Sequence, residues 1–337
     1  MTVTVAIKAY NEASKIGAAI ASALEAVEPL GGEVVLGDCR SQDDTVAVGR
    51  GYPIRIFQLT DPSDRSCGAG AQLAFQGVNT PFFYLMDGDM TLSSAFLPKA
   101  LAWLQANSEY AGVGGEVSET LVANAEFRIR EASARHEHHR REGDVDRLDG
   151  GGLYRMSAIQ DVGYFSNRNL NSYEEFDLAA RLRSKGWKLA RIPVVAVQHH
   201  GHTTASLRLL WRRFASGQLG GAGAVLRAAL DQAHLPHVLS SLKEVRYVVA
   251  IFAWWLAILS TALTHQIAFL TLILAPIAIL CVRRRSVLLG LYSFLYWNLF
   301  GLGFAKNFLA KRMPTQWGVP AIEVSPLQWP AAPRSAL

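Results

Sequence analysis

Phe82-Phe83-Tyr84-Leu85-Met86-Asp87-Gly88-Asp89 is the stretch whose reading decides the fold. Five apolar residues in a row after the turn former Pro81 predict a strand buried on both faces, as in a parallel sheet. The run stops abruptly in two carboxylates. In open α/β sheets ligands gather beyond the carboxyl ends of the strands, so Asp87 and Asp89 stand where chemistry is normally done. Gly88 between them lets a ligand approach the backbone. Two hard oxygen ligands pointing the same way suit Mg2+ or Mn2+, and such a metal bridges to substrate phosphates. A pair of ordinary loop carboxylates would read the same, and this stretch alone does not separate the two.

Working outward, strand and helix patterns alternate. Val3 to Ile7 reads as a first buried strand, running into Lys8-Ala9-Tyr10-Asn11-Glu12. A helix from Ile16 to Ala26 leads to Val34-Val35-Leu36, followed by Gly37-Asp38-Cys39-Arg40-Ser41-Gln42-Asp43-Asp44-Thr45. A third strand, Ile54 to Phe57, precedes a glycine-bearing turn (Cys67-Gly68-Ala69-Gly70) and a helix to about Val78. The alternation predicts an α/β domain with a doubly wound, mostly parallel sheet. Gly68 and Gly70 lack the third glycine of a dinucleotide fingerprint.

Four of these segments, in this order, resemble glycosyltransferase family 2, whose fold is GT-A, over about Val3 to His202. Lys8 to Glu12 resembles the exit of the family's first strand, with Ala9 in place of its usual proline. Asp38 to Thr45 resembles an Asp-Asp-Gly-Ser segment, with Cys39 and Arg40 as departures. Asp87-Gly88-Asp89 resembles the Asp-x-Asp metal motif. Glu174-Glu175-Phe176-Asp177-Leu178 resembles Glu-Asp-x-Asp-Leu, with Glu175 where the family has aspartate. The resemblance implies a nucleotide-diphosphate sugar donor lying against Ala9, Tyr10, Glu12 and Asp38, with Asp87 near the ribose. It implies a divalent metal, Mg2+ or Mn2+, on Asp89, with Asp87 and a histidine as neighbouring ligands. His199 is the favoured histidine and His202 the next. Glu12 and Asp38 could equally be plain first-turn or turn carboxylates.

Further along, Val113 to Val117 reads as a strand and the charged stretch 122–148 as a helix or loop. Arg135-His136-Glu137-His138-His139-Arg140-Arg141 within it has no zinc-protease spacing. Gly150-Gly151-Gly152-Leu153-Tyr154-Arg155 resembles the family strand that lines the sugar pocket, with Gly151 facing the donor. Glu175 is the candidate general base, because a sugar hydroxyl needs a carboxylate to take its proton as it attacks. Glu174 is the fallback. Ser172-x-x-Glu175 also reads as a capping box, in which Glu175 would only close a helix start. One base and no enzyme nucleophile imply inversion at the anomeric carbon.

The chain has 337 residues and its charge is uneven: 24 Lys+Arg against 26 Asp+Glu in residues 1–235, then 9 against 2 in residues 236–337. The globular part is near neutral and the basic excess belongs to the apolar tail, which points to a membrane surface rather than nucleic acid. Cys39, Cys67 and Cys281 have no metal spacing and fit a reducing compartment. Met1 leads straight into a strand with no leader, so the reading is a cytoplasmic catalytic domain at the inner or plasma membrane.

Leu207, Leu210, Trp211 and Phe214 fall at helical spacing beside Arg208, Arg212 and Arg213, an interfacial helix toward the membrane and acceptor. Tyr247 to Val282 runs 36 residues without Asp, Glu, Lys or Arg, broken only by Thr264-His265-Gln266. It is long enough for two tightly joined spans of about 17 residues. Val287 to Ala305 is a third apolar segment, which would carry Lys306, Lys311 and Arg312 outside if it crossed, against the usual charge bias. The expected organisation is 1–203 GT-A domain, 204–235 interfacial helix and linker, 236–312 membrane helices, and 313–337 a proline-rich tail. The function expected is transfer of one sugar to a lipid or lipid-linked acceptor. Transfer to a polyprenyl phosphate, or a silent subunit of an export complex, are the rivals.

Overall fold

A computed structural model describes residues 2–119, 138–199, 206–262, 264–315 and 318–325. Their packing separates a sheet unit (Met1–Asn169, Glu174–Thr203 and Met313–Leu337) from a helical unit (Leu170–Tyr173 and Thr204–Arg312).

The sheet unit starts with β1 (Val3–Ala9), α1 (Ile16–Val27), β2 (Glu33–Asp38), α2 (Thr45–Gly49), β3 (Arg55–Leu59) and α3 (Cys67–Gln76). It continues through β4 (Phe82–Asp87), β5 (Met90–Leu92), α4 (Phe96–Ala106) and β6 (Tyr110–Glu119). After the undescribed 120–137 come β7 (Gly143–Val145), β8 (Gly152–Arg155), α5 (Met156–Asp161), α6 (Glu174–Ser184), β9 (Lys188–His199) and, far downstream, β10 (Ala321–Glu323). The sheet order is β10-β3-β2-β1-β4-β8-β6-β9-β5, with β7 on β9. Strands β3, β2, β1 and β4 run parallel, whereas β8 is antiparallel to both β4 and β6.

Alternation along the strands supplies two cores. Val3, Val5 and Ile7 of β1 and Tyr84 and Met86 of β4 pack with α1 and α4. Ala6, Phe83 and Leu85 face α3, α5 and α6. Both faces of β4 are therefore covered, as its unbroken apolar run requires.

Three local readings change. The described part of 122–148 is a 3-10 turn (His138–Arg140) and β7 rather than a helix. A strand not read above, β9, runs over Lys188–His199, because β6 pairs with it along its whole length, β7 with its first residues and β5 with its last. The tail after Pro314 is not wholly irregular: β10 covers the exposed edge of β3 with the register Ala321↔Leu59, Ile322↔Gln58, Glu323↔Phe57. Edge covering of this kind removes a row of unpaired backbone groups.

The helical unit holds α7 (Ser206–Ala215), α8 (Ala222–Ala229), α9 (Leu235–Ser241), α10 (Glu244–Thr261), α11 (Gln266–Arg284) and α12 (Val287–Leu309). The last three are long and apolar enough to cross a membrane. The junction between α10 and α11 falls at Thr264-His265, where the apolar run is interrupted. The stripe expected on α7 is split. Leu210 is buried with Leu209, while Leu207 and Trp211 are about 60% exposed (60% and 63%). Arg208 and Arg212 stand exposed beside them, and Arg213 is partly covered.

Candidate active site

Strand register assembles the site. Ala9 is opposite Asp38 across β1 and β2, and Lys8 is opposite Asp87 across β1 and β4. Residues far apart in sequence thus reach one level at the carboxyl end of the parallel strands, where α6 begins with Glu174.

Lys8 is the hub. Its Nζ lies 3.2 Å from Asp87 Oδ1 and 3.0 Å from Glu174 Oε1. Burial opposes its charge, but the carboxylates of Asp87, Glu174 and Glu175 outweigh that and hold the ammonium well above its ordinary range. Glu174 is buried and committed to this ion pair. Glu175 is not. Burial, then the neighbouring Glu174 carboxylate, push its carboxyl up to about 8, with Lys8 pulling the other way. A base titrating near neutrality is what proton abstraction needs. The capping-box alternative fails locally, because α6 starts at Glu174 and the Ser172 hydroxyl donates instead to the carbonyl of Gln218 at 2.8 Å. Asp177, fully buried, braces the helix by accepting from Arg181 Nε at 2.9 Å.

Glu175 shares a pocket with Asp87, Gly151, Glu174 and Ser166. Gly151 has φ +100°, and a Cβ there would stand 2.5 Å from Tyr84 Oη and 2.8 Å from the Leu85 carbonyl. Both the backbone and the space demand glycine. Ser166 is 2% exposed and its hydroxyl has no hydrogen-bond partner among the described residues, which leaves a buried polar atom facing the cavity. Behind the glycines, Asp149 accepts from Arg191 and pairs with His139 Nε2 at 3.0 Å.

Asp89 is 6% exposed. The β5–β9 pairing sets Met90 opposite His199, which brings His199 Nε2 to 3.4 Å from Asp89 Oδ2. Lys15 Nζ is 3.9 Å from the same oxygen. Nearby Glu12 is pushed up to about 7 by burial and then by the Asp89 charge. A carboxylate and an imidazole meeting at one point, amid surplus negative charge, are groups that would suit a divalent cation. Among the described residues no cluster of three His, Cys, Asp or Glu side chains is set for a metal. Asp87, expected as a second ligand, forms an ion pair with Lys8. His200 and His202 lie outside the described residues.

The other end of the site is built differently. Asp38 is fully buried, and both its oxygens are engaged, by the Ser41 hydroxyl and by Ser41 N (3.0 Å) and Gln58 Nε2 (2.9 Å). It holds the turn rather than presenting a bare carboxylate. Asn11 and Arg40 have positive φ, and their loops are laced by Asn11 N to Ser41 Oγ and Gln42 N to Asn11 Oδ1. Non-glycine residues in this conformation gather at functional sites. Tyr10 is 38% exposed, and Arg65, which the sequence reading passed over, stacks on its ring at 4.0 Å and donates to its hydroxyl at 2.8 Å. Arg65 also donates to the carbonyls of Cys39 and Arg40.

A mixed sheet of this order, with an Asp-x-Asp at the end of β4 and a carboxylate pair opening α6, defines a glycosyltransferase of the GT-A fold. The chain belongs to glycosyltransferase family 2: the family model described as glycosyltransferase like family 2 matches residues 2–218. It is a transferase by that membership. No curated protein matches it. Among solved structures, mannosyltransferase PcManGT from Pyrobaculum calidifontis, in complex with GDP-Man and Mn2+, superposes with a TM-score of 0.61 at 16% identity, covering 91% of this chain and 87% of that one. TarS 1-349 of S. aureus, in complex with UDP-GlcNAc, gives 0.51 at 13% identity and 91% of both chains. A longer S. aureus TarS structure gives 0.50 at 18% identity over 71% of this chain, and the chain spans 42% of its length. At these identities the likeness is one of fold.

Proposed function

We propose that this protein is a membrane-anchored, inverting glycosyltransferase that moves one sugar from a nucleotide-diphosphate donor to a lipid or lipid-linked acceptor. One observation carries the reading: Lys8 claims Glu174 and leaves Glu175, with its carboxyl near 8, beside the Gly151 pocket. In the reaction the acceptor O–H gives its proton to a Glu175 oxygen while the acceptor oxygen bonds to the anomeric carbon. The bond from that carbon to the diphosphate oxygen breaks, and its electron pair leaves with the nucleotide. Asp89 and His199 would hold a divalent cation, which would supply positive charge against the departing diphosphate. Tyr10, backed by Arg65, offers an aromatic face to the base, and the small residues at 150–152 leave room for the sugar. The exposed Leu207, Trp211, Arg208 and Arg212 of α7 have the chemistry of a helix at an anionic lipid surface, which supports a lipid-borne acceptor.

The test is Glu175→Gln beside Glu174→Gln, with melting temperature as the folding control. Glu175→Gln should lower kcat by about 10²–10⁴-fold while donor affinity survives. Because the base must be ionised, wild-type kcat should rise with pH through about 8, and this limb should vanish in Glu175→Gln. A dead Glu174→Gln beside an active Glu175→Gln would move the base one residue earlier. If both stay active, no base is needed and an already anionic acceptor, such as a polyprenyl phosphate, replaces the hydroxyl acceptor.

A further inference from the structure

Three helices have the length and apolarity to cross a bilayer, yet the two chain ends of the helical unit both lead to the sheet unit. We propose that α10 and α11 cross as a hairpin, and that α12 does not cross but lies along the interface from which the hairpin starts, with a leucine stripe on the lipid.

The first support is parity. Twelve residues after α12 ends at Leu309, the chain is back in the sheet as β10 on β3. Val319 is buried against Leu59, Ala69 and Leu73, Gln76 bonds both its N–H and its carbonyl, and Arg168 donates to the Gly318 carbonyl at 3.0 Å. One folded sheet cannot straddle a membrane, so the number of crossings between Thr204 and Arg312 is even. Three is excluded.

The packing of α12 says which helix stays. Its first turn meets the end of α11, where Gly290 lies against Cys281. Its far end meets the segment that precedes α10: Gly303 abuts the Leu219 carbonyl and Gly223 abuts the Phe304 carbonyl, each without room for a side chain. Asn307 Nδ2 donates to the Gly217 carbonyl at 2.9 Å and Lys306 Nζ to the Ala215 carbonyl at 3.3 Å. These partners lie upstream of the hairpin, which leaves at Glu244 and returns at Arg284. Midway along α12, Asn298 accepts from Trp255 Nε1 of α10 at 2.9 Å, so α12 runs from the hairpin's return, across α10, to the segment before its departure.

Charge and exposure agree. Arg283, Arg284 and Arg285 precede α12, and Lys306, Lys311 and Arg312 close it, so both ends carry the mark of the cytoplasmic side. Leu288, Leu291, Leu295, Leu302 and Leu309 are exposed on one face, opposite the buried Gly290, Ser293, Phe300 and Phe304. By contrast α11 has no buried residue, with Ile267, Leu274 and Val282 exposed on one face, as a span with a lipid-facing side requires.

The experiment uses the full chain in intact cells. A green fluorescent protein fused after Leu337 should fluoresce and alkaline phosphatase at the same place should be silent. With Cys39, Cys67 and Cys281 replaced by alanine, Thr264→Cys should react with a membrane-impermeant maleimide from outside, and Ser286→Cys only after permeabilisation. An active phosphatase, labelling of Ser286→Cys from outside, or no outside labelling of Thr264→Cys would overturn the proposal. The fusions leave the native sequence intact, so they decide the parity even if the cysteine replacements unfold the chain.

Discussion

The two ends of the site handle buried carboxylates in opposite ways. At the β2 end, Asp38 is fully buried yet comfortable, because Ser41 and Gln58 donate to both of its oxygens. At the β4 end, Glu12, Asp87, Asp89, Glu174 and Glu175 crowd around few cations, Lys8 and Lys15 among them. Burial first, and then this crowding, drive Glu12 to about 7 and Glu175 to about 8. Satisfied charge holds a loop in place. Unsatisfied charge is kept where a cation or a proton has yet to arrive, which is why perturbed titration marks functional sites.

The largest effect that would break this contrast is expected at Asp89. Asp89→Ala should lower transfer by at least about 10²–10³-fold, the scale of removing one charge-stabilising group. It should also abolish metal-dependent donor binding, read by calorimetry with and without Mn2+. The fold should survive in metal-free buffer. Glu12 has a raised carboxyl in the folded state, so its contribution is present at low pH and is lost as pH rises through about 7. Removing the Asp89 charge lowers the Glu12 carboxyl toward its ordinary value, so that loss shrinks and melting at pH 8 should not fall. Retained Mn2+-dependent binding would place the metal elsewhere.

Much of the crowded end was legible in the sequence, because its signals are local. The run Phe82 to Met86 announces a strand covered on both faces, and Asp87-Gly88-Asp89 follows it directly. The partners that decide each role are long-range. Lys8 meets Glu174 across 166 positions, and only the β1–β4 register shows that it also pairs with Asp87. The capping box at Ser172 is a correct local pattern that a distant acceptor, Gln218, overrides. Hydropathy sees α12 as a third span because it measures length and composition, and neither reports where β10 goes. The stripe on α7 fails for a similar reason: helical spacing places Leu210 with Trp211, but the packing of the unit covers one and leaves the other bare.

A smaller effect, of a different kind, is expected at Asp38. In Asp38→Asn an amide nitrogen replaces one acceptor, so a donor from Ser41 or Gln58 is left facing another donor in a buried place. That should reduce stability by about 1–3 kcal/mol, with kcat at saturating donor close to wild type. Denaturant midpoints and steady-state kinetics on the same preparation measure both. A variant of normal stability with a collapsed kcat would mean that Asp38 acts on the donor directly, and the distinction between the two ends would fail.

The smallest effect is expected at Arg65, and it sharpens the contrast rather than breaking it. Arg65 contacts three elements of the comfortable end at once, through the Cys39 carbonyl (2.9 Å), the Arg40 carbonyl (3.1 Å) and the Tyr10 hydroxyl (2.8 Å). Lysine keeps the charge but not the planar fork, so Arg65→Lys can serve one of these acceptors and loses the flat stack on the Tyr10 ring. A cation over an exposed aromatic is worth about 0.5–1 kcal/mol, which corresponds to a loss of donor affinity of roughly 2–5-fold. If this end only positions the nucleotide, KM for the donor rises by that factor and kcat does not move, because proton transfer and departure of the diphosphate occur at the other end. Arg65→Met separates charge from shape: a further loss of affinity for the nucleoside diphosphate, with the free nucleoside affected less, would show that the guanidinium also reads the phosphates. A fall in kcat with KM unchanged would place Arg65 in the chemistry itself, and the two ends would then have to be treated as one electrostatic unit.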